Sequence, residues 1–299
     1  MARAAPGYNL MSPLARRILL TLCLLFAAAG CSLPTEPTYN ADNIAGRLKQ
    51  IIKDEYKYDV VTNLAGRTLW VYVPYNEEII IEEKGKPQEF TKLFDIKSIE
   101  SAYQFGAFNV TYDIRAVNET KETQKSKYNP KTFERMNKIL RAIRRVFFSI
   151  KRDSLEPRFF VIIFSDTKTG LQLIDLNYVD DFRKACYELI SWVEYRHRTV
   201  EDIRYQPNAI GDTRGSSIQP YDIQMPAFLA ELIKQRARVK FSQPEVKKGA
   251  DIDKEVLKTV SFCLQIYKYD DYLLVDLLNS ATQKRTSLSR VSLMEKMKE

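Results

Sequence analysis

Histidine is almost missing from this chain: 299 residues contain one, His197. That excludes any multi-histidine metal site, including the zinc-binding His-Glu-x-x-His helix. A Ser–His–Asp triad would have to use His197, which stands in Trp192-Val-Glu-Tyr-Arg-His-Arg198. There Arg196, His197 and Arg198 complement the negative end of an amphipathic helix, and no catalytic role is needed to explain them. The Gly-x-Ser-x-Gly elbow, the phosphate loop Gly-x-x-x-x-Gly-Lys-Ser/Thr and the dinucleotide turn Gly-x-Gly-x-x-Gly are all absent. Without Cys-x-x-Cys, thioredoxin-like exchange is excluded too. The 38 acidic residues offer many carboxylate pairs, but no spacing singles one out. No apolar run approaches the roughly 20 residues that a spanning helix needs.

A shorter apolar run is present near the start. Residues 18–29 follow Arg16-Arg17 and lead into Ala28-Ala29-Gly30-Cys31. A basic step, a short apolar core and small residues make a secretory signal. Its end resembles the lipobox of bacterial lipoproteins, with Ala28 where leucine is usual. The resemblance covers the first 31 residues and implies that Cys31 is acylated, palmitate included, and becomes the mature N-terminus. It implies no cofactor. Two other readings stay open: cleavage after Ala27-Ala28-Ala29 to release a soluble periplasmic protein, or an uncut anchor. Met11 gives the leader a more usual length than Met1. Ser32 after the cysteine implies sorting to the outer membrane, facing the periplasm, if the organism has one.

The domains expected are a signal peptide over 1–30, a lipidated tether over 31–40 and a globular domain over 41–299, with subdivision near 129 and 250 left open. The tether, with Pro34 and Pro37, reaches at most ~30 Å and keeps the domain near the bilayer. Composition is globular, 45% hydrophobic and 28% charged. The net charge of +8 shrinks when the leader removes three arginines and no acid. The remaining surplus suits an anionic membrane or cell-wall polymer, and equally a solubility margin. Once the leader is gone and Cys31 is acylated, Cys186 and Cys263 remain, each on an apolar helix face. Two packed thiols and a disulfide between them are both open.

Along the domain, helix–strand–strand recurs three times. The first unit is a helix over 41–56 with Ile44, Leu48, Ile51 and Ile52 inward, then strands at 58–62 and 68–74. In the latter, Leu69, Val71 and Val73 face opposite to Trp70 and Tyr72. The second opens after Pro130, where Phe133, Met136, Leu140, Ile143 and Phe147 keep helical spacing. Residues 159–164 are an unbroken apolar run, expected as a central strand buried on both faces, and 167–170 turn it into 171–176. The third is a helix over 252–267 and strands at 272–278 and 282–289. Its junction, Tyr267-Lys-Tyr-Asp270, repeats Tyr56-Lys-Tyr-Asp59, by duplication or by convergence of two helix exits. Between units, a strand at 78–82, a short helix near 91–103, an alternating strand at 108–116 and a mobile stretch at 117–129 are expected. Later come a single helix over 179–197, N-capped by Asp180-Asp181, and another over 226–240. The fold class is α+β: a mainly antiparallel sheet with helices packed on one face.

Binding candidates follow. Residues 204–224 form a long polar connection carrying Arg204, Tyr205, Asn208, Asp212, Arg214 and Tyr221, the residue types of polar recognition. Lys234, Arg236, Arg238 and Lys240, with Arg141, Arg144 and Arg145 elsewhere, are ordinary solvated helix faces or a basic face for anionic lipid. Trp70 and Tyr72 pack under a helix or form an aromatic platform. No residues stand out as catalytic or metal-binding. The expectation is a membrane-tethered envelope lipoprotein, a non-catalytic interaction or scaffold domain that binds an envelope protein or cell-wall polymer and no nucleic acid. The alternatives are a cell-wall enzyme using a carboxylate pair and a ligand- or lipid-binding accessory of an envelope transport system. A deep pocket lined by acids of raised pKa favours the enzyme, and an enclosed apolar cavity the lipid carrier.

Overall fold

In a strand, six consecutive large apolar side chains can all be buried only if both faces of the sheet are covered. In the computed structural model, which describes residues 38–83, 88–153, 155–243 and 245–296, β7 (Phe159–Asp166) is such a strand, buried at every position. Its parallel neighbour is β2 (Thr68–Tyr75), with Leu69 opposite Phe160 and Val71 opposite Ile162. Antiparallel β1 (Val61–Ala65), β8 (Leu171–Tyr178) and β9 (Val200–Tyr205) complete a five-stranded sheet in the order β1-β2-β7-β8-β9.

One face of that sheet, with Leu69, Val71, Val73, Phe160, Ile162 and Phe164, packs against four helices. These are α1 (Ala41–Tyr56), α2 (Pro130–Phe148), α3 (Val179–Cys186) and α4 (Trp192–His197). Asn40 caps α1 through a reciprocal capping box with Asn43. Asn129 caps α2, whose Pro130 needs no amide partner at its first position. The other face, with Trp70, Tyr72, Phe159, Val161 and Ile163, meets α5 (Met225–Ser242) and α6 (Ile252–Ile266). Beyond them lies a four-stranded sheet in the order β11-β10-β5-β4. It comprises β4 (Gln88–Gln104), β5 (Ala107–Gln124), β10 (Leu274–Asn279) and β11 (Lys284–Ser289). A short pair, β3 (Ile80–Glu82) with β6 (Ser126–Tyr128), and the terminal α7 (Arg290–Lys296) close the edges.

The α+β class and the predominantly antiparallel pairing hold, and all three helix–strand–strand units form. Helices on one face describe the four-stranded sheet alone, because the five-stranded sheet is covered on both. Residues on either side of 129 and of 250 share these sheets and cores, so Tyr39–Glu299 is one unit. The leader, Cys31 and nearly all of the tether lie outside the described residues.

Several elements differ from expectation for identifiable reasons. Residues 91–103 are strand, not helix: two register shifts, at Lys92/Phe94 and Ile96/Ser98, break the period of two and leave apolar spacings that imitate a helix. Residues 117–124 continue β5 instead of forming a mobile stretch. The helix over 179–197 is two: α3 ends at Cys186 with Tyr187 as its C-cap, Glu188 takes a left-handed φ of 59°, and Ser191 caps α4 through the Glu194 amide. Asp180 and Asp181 sit in the first turn of α3, and Tyr178 is its N-cap. β1 begins at Val61, three residues later than expected, since Lys57 ends α1 in a left-handed conformation before the chain extends. The turn into β2 falls at Gly66, with φ of 56°, where a Cβ would lie 2.4 Å from the Asp222 side chain. Cys186 and Cys263 are both free and belong to different cores, so no bridge joins them.

Ile162 has no solvent exposure. Burying such a side chain contributes roughly 1.5–3 kcal/mol, and a carboxylate in its place adds a larger desolvation cost. Ile162→Asp is therefore expected to abolish cooperative thermal unfolding, as followed by circular dichroism. Near-normal melting would contradict the interior position of β7.

Candidate ligand cleft

Five elements end together along one edge of the layers. Arg158 precedes β7, Tyr178 ends β8, Tyr103 stands near the end of β4, Met225 and Pro226 open α5, and Tyr267 and Tyr269 lead out of α6. Between them is a cleft of about 720 Å³, lined also by Gln224, Ala227 and Asp271.

Its aromatic walls are fixed from behind. The Tyr178 ring packs 5.4 Å from Phe159 and edge-on to Tyr267 at 5.7 Å, and Tyr267 meets Phe228 at 5.6 Å. On the opposite wall, Tyr103 and Tyr269 rest on Phe108 at 4.9 and 6.0 Å. The hydroxyls are anchored as well: Tyr178 donates to Asp180 at 3.0 Å, Tyr267 to Asp181, and Tyr103 to the Asp271 carbonyl at 3.1 Å. Burial, then the neighbouring carboxylates, push the Tyr178 and Tyr267 phenols up; burial and the Tyr103 hydroxyl do the same for Tyr269. These three side chains keep their protons at neutral pH and present rings and neutral hydroxyls, not phenolate bases.

Charge enters through Arg158. Among the described residues its guanidinium has no carboxylate within ion-pair distance. It lies beside the Tyr178 hydroxyl. Gln224, the N-cap of α5, makes no side-chain capping bond, so this end of the helix adds partial positive charge to the same wall. Asp271 is the acid on the rim. Rings for a flat ligand face, an arginine for an anionic group and neutral hydroxyls for polar edges make a recognition surface.

The acid with the chemistry of a general catalyst lies elsewhere. Asp175 on β8 stands directly opposite Glu201 on β9. Glu201 accepts hydrogen bonds from Tyr128 and Arg196, whereas burial, and then the Glu201 charge, push Asp175 up to about 7. Such a value marks catalytic acids when the group faces a cleft. Asp175 is buried and does not line the cleft at Arg158. Below it Asn177 accepts from Tyr195 and Thr199. The pair is interior architecture.

The six residues singled out in the long connection do not assemble into one site. Arg204 and Tyr205 end the strand β9, which the polar alternation of 200–205 concealed. Asp212 is buried and accepts from the amides of Arg214, Ser216 and Ser217, shaping the loop from within. Burial opposes its charge, but these donors outweigh it and hold the carboxyl well below the usual range. Tyr221 lays its ring 5.3 Å from Trp70, whose indole N–H donates to the Tyr221 carbonyl, and Tyr72 donates to the Asp212 carbonyl. The loop thus lies over Trp70 and Tyr72, which form no open platform. Asn208, Asp212 and Arg214 line a common depression, of about 290 Å³. The basic residues of α2 and α5 lie on opposite sides of the five-stranded sheet and make no shared face. Sequence reasoning missed Arg158, Tyr103 and Tyr178. It did mark Tyr267 and Tyr269 through the repeated Tyr-Lys-Tyr-Asp; in the other copy Arg135 covers Tyr58 at 4.3 Å.

Two expectations follow. Asp212→Ala should cost about 1–3 kcal/mol in chemical denaturation, because it strands several amides, whereas Arg204→Ala should stay within about 0.5 kcal/mol. Equal, small losses would show that the loop does not depend on Asp212. For Asp175 the raised native pKa means that the folded state binds a proton that the unfolded state releases above about pH 4. Its contribution is complete below that pH and is lost as pH rises to about 7. Asp175→Asn should flatten this decline and be about 1–3 kcal/mol more stable than the wild type at pH 8. A variant less stable at pH 8 would place a needed negative charge at this position.

No protein-family model, curated protein or solved structure matches this chain.

Proposed function

We propose that this protein is a membrane-tethered envelope lipoprotein, anchored through Cys31, whose globular domain binds a ligand without transforming it. The observation that carries the binding half is the cleft at Arg158. It combines fixed tyrosine rings, neutral hydroxyls and a guanidinium with no carboxylate partner among the described residues. The acid whose pKa is raised to about 7 is buried away from it, which weighs against the cell-wall enzyme. The cleft opens to solvent between element ends and is lined in part by charge, which suits a polar ligand better than a carried acyl chain. The ligand class that fits is a ring compound with an anionic group, such as a carboxylate-bearing sugar of a cell-wall polymer. The lipobox resemblance, with Ser32 after the cysteine, supports placement at the outer membrane, facing the periplasm, in an organism with two membranes.

Two measurements test the two halves. Cys31→Ser should abolish labelling by a fatty-acid analogue and release the chain from the membrane fraction. A variant that still fractionates with membranes at wild-type mobility would contradict the anchor. Arg158→Ala should weaken binding of carboxylate-bearing cell-wall glycan fragments at least about tenfold by calorimetry, as expected when one charge-assisted partner is lost. Unchanged affinity, or turnover of the fragment, would contradict the reading of the cleft.

A further inference from the structure

The turn joining α3 to α4 exposes large apolar side chains that the fold does not use. Leu189 is 73% exposed, Val193 67%, Tyr187 56% and Trp192 50%. These are neighbours, not scattered singles. Phe148, the last residue of α2, packs 4.8 Å from Tyr187, and Trp192 packs edge-on to Tyr195 at 5.5 Å and to Phe182 at 6.4 Å. A contiguous apolar patch on a protein surface marks a place where water is displaced by something.

Three observations say what displaces it. The first is where the chain enters the domain. Tyr39 pairs with Ile150, its amide donates to the Ser149 carbonyl at 3.1 Å, and Lys151 donates back to the Tyr39 carbonyl at 2.8 Å. The entry point is therefore at the same helix end as Phe148. From Cys31 to Tyr39 the chain spans at most ~30 Å, so a bilayer holding the Cys31 lipid lies within that distance of this end. The second is charge. Arg141, Arg144, Lys151 and Arg152 are exposed around it, and among the described residues none of the four is in an ion pair. Arg144 stands 5.7 Å over the Phe148 ring. Glu188 is the exposed acid within the turn. The third is residue type. Tryptophan and tyrosine favour the headgroup level, leucine and valine the acyl boundary, and arginine and lysine the anionic phosphates.

We propose that this face, built from the α2 terminus and the α3–α4 turn, docks onto an anionic lipid surface, with Trp192, Leu189 and Val193 entering the interface. The proposal rests on the lipid-anchor reading above and adds to it an orientation: the domain lies against the bilayer and does not swing freely on its tether.

Trp192 reports this directly. The chain has two tryptophans, and the other, Trp70, is buried at 7% exposure. The full chain, purified from membranes, is reconstituted into vesicles of phosphatidylcholine with phosphatidylglycerol, using lipids brominated along the acyl chain. Emission should be quenched about twofold and shifted to the blue, as for an indole at the acyl boundary. Trp192→Phe should remove the quenching. Arg144→Glu with Lys151→Glu, or pure phosphatidylcholine, should weaken it. Leu189→Asp with Val193→Asp should abolish it while melting stays near the wild type, since both positions are exposed. Unquenched Trp192 in a chain whose Cys31 carries lipid overturns the docking, as does quenching indifferent to these charges. Trp192 shielding that appears without lipid, with concentration-dependent self-association, overturns it in favour of a second copy. The mass of the N-terminal peptide from the same sample separates the two readings: an unmodified Cys31 counts against the anchor alone.

Discussion

Pairing of β2 with β7 is the constraint on which the rest of this structure depends. The two strands run parallel, and both bury their two faces. Parallel neighbours cannot be joined by a tight turn, so the chain between them must leave the sheet and return. It uses that excursion to build β3 to β6 and α2. Because both faces of β2 and β7 are apolar, two sets of helices are needed to cover them. The α1–α4 set covers one face, while α5 and α6 cover the other and serve also as the floor of the second sheet. α5 accordingly has buried residues on more than one side, from Phe228 and Leu229 through Ile233 to Phe241.

This layering sets the positions of the two surfaces of interest. The cleft forms where β7 begins, β8 ends, α5 begins and α6 ends along the same edge. The apolar turn forms where α2 and α3 end on the opposite face. The two are linked by α3, an eight-residue helix about 12 Å long. Its N-cap, Tyr178, lines the cleft, and Tyr187 at its other end packs on Phe148. Asp181 in its first turn accepts from Tyr267 of the cleft and from Arg198 beyond α4, which ties the helix to both layers. A domain resting on the bilayer through the α3–α4 turn would hold the cleft one short helix away from the lipid.

How much was legible in the sequence depended on whether local pattern and global environment agreed. The apolar sextet at 159–164, the alternation of Leu69, Val71 and Val73 against Trp70 and Tyr72, and the stripes of α1 and α6 all agreed, and those elements stand close to where the pattern put them. The α2 stripe was read rightly at Met136, Ile143 and Phe147, which are buried, but it left out Ile139, Ala142 and Val146, and Phe133 is exposed beneath Arg196. β4 was misread because its bulges destroy alternation, and β9 because an edge strand rich in charge looks like a loop. Ser191-Trp-Val-Glu194 carries a helix-start signature that marked the break between α3 and α4. The cleft was harder. Arg158, Tyr103, Tyr178 and Tyr267 are far apart in the chain and are brought together only by the order of strands, which no local spacing encodes. The loop around Asp212 was the opposite case: it looked like a binding segment because the residues that hold a long loop together are those that hold a ligand.

The dependence on the β2–β7 pairing can be measured directly by native-state hydrogen exchange with low concentrations of denaturant. If this pairing organises both layers, the amides of 69–73 and 160–164 exchange only by global unfolding, and their opening free energy equals that of the whole domain. The amides of β4, β5 and β10 should open at lower or equal free energy, never higher. A sheet β11-β10-β5-β4 that stays protected while β2 and β7 exchange would contradict this account, since it would show the second sheet standing without the first.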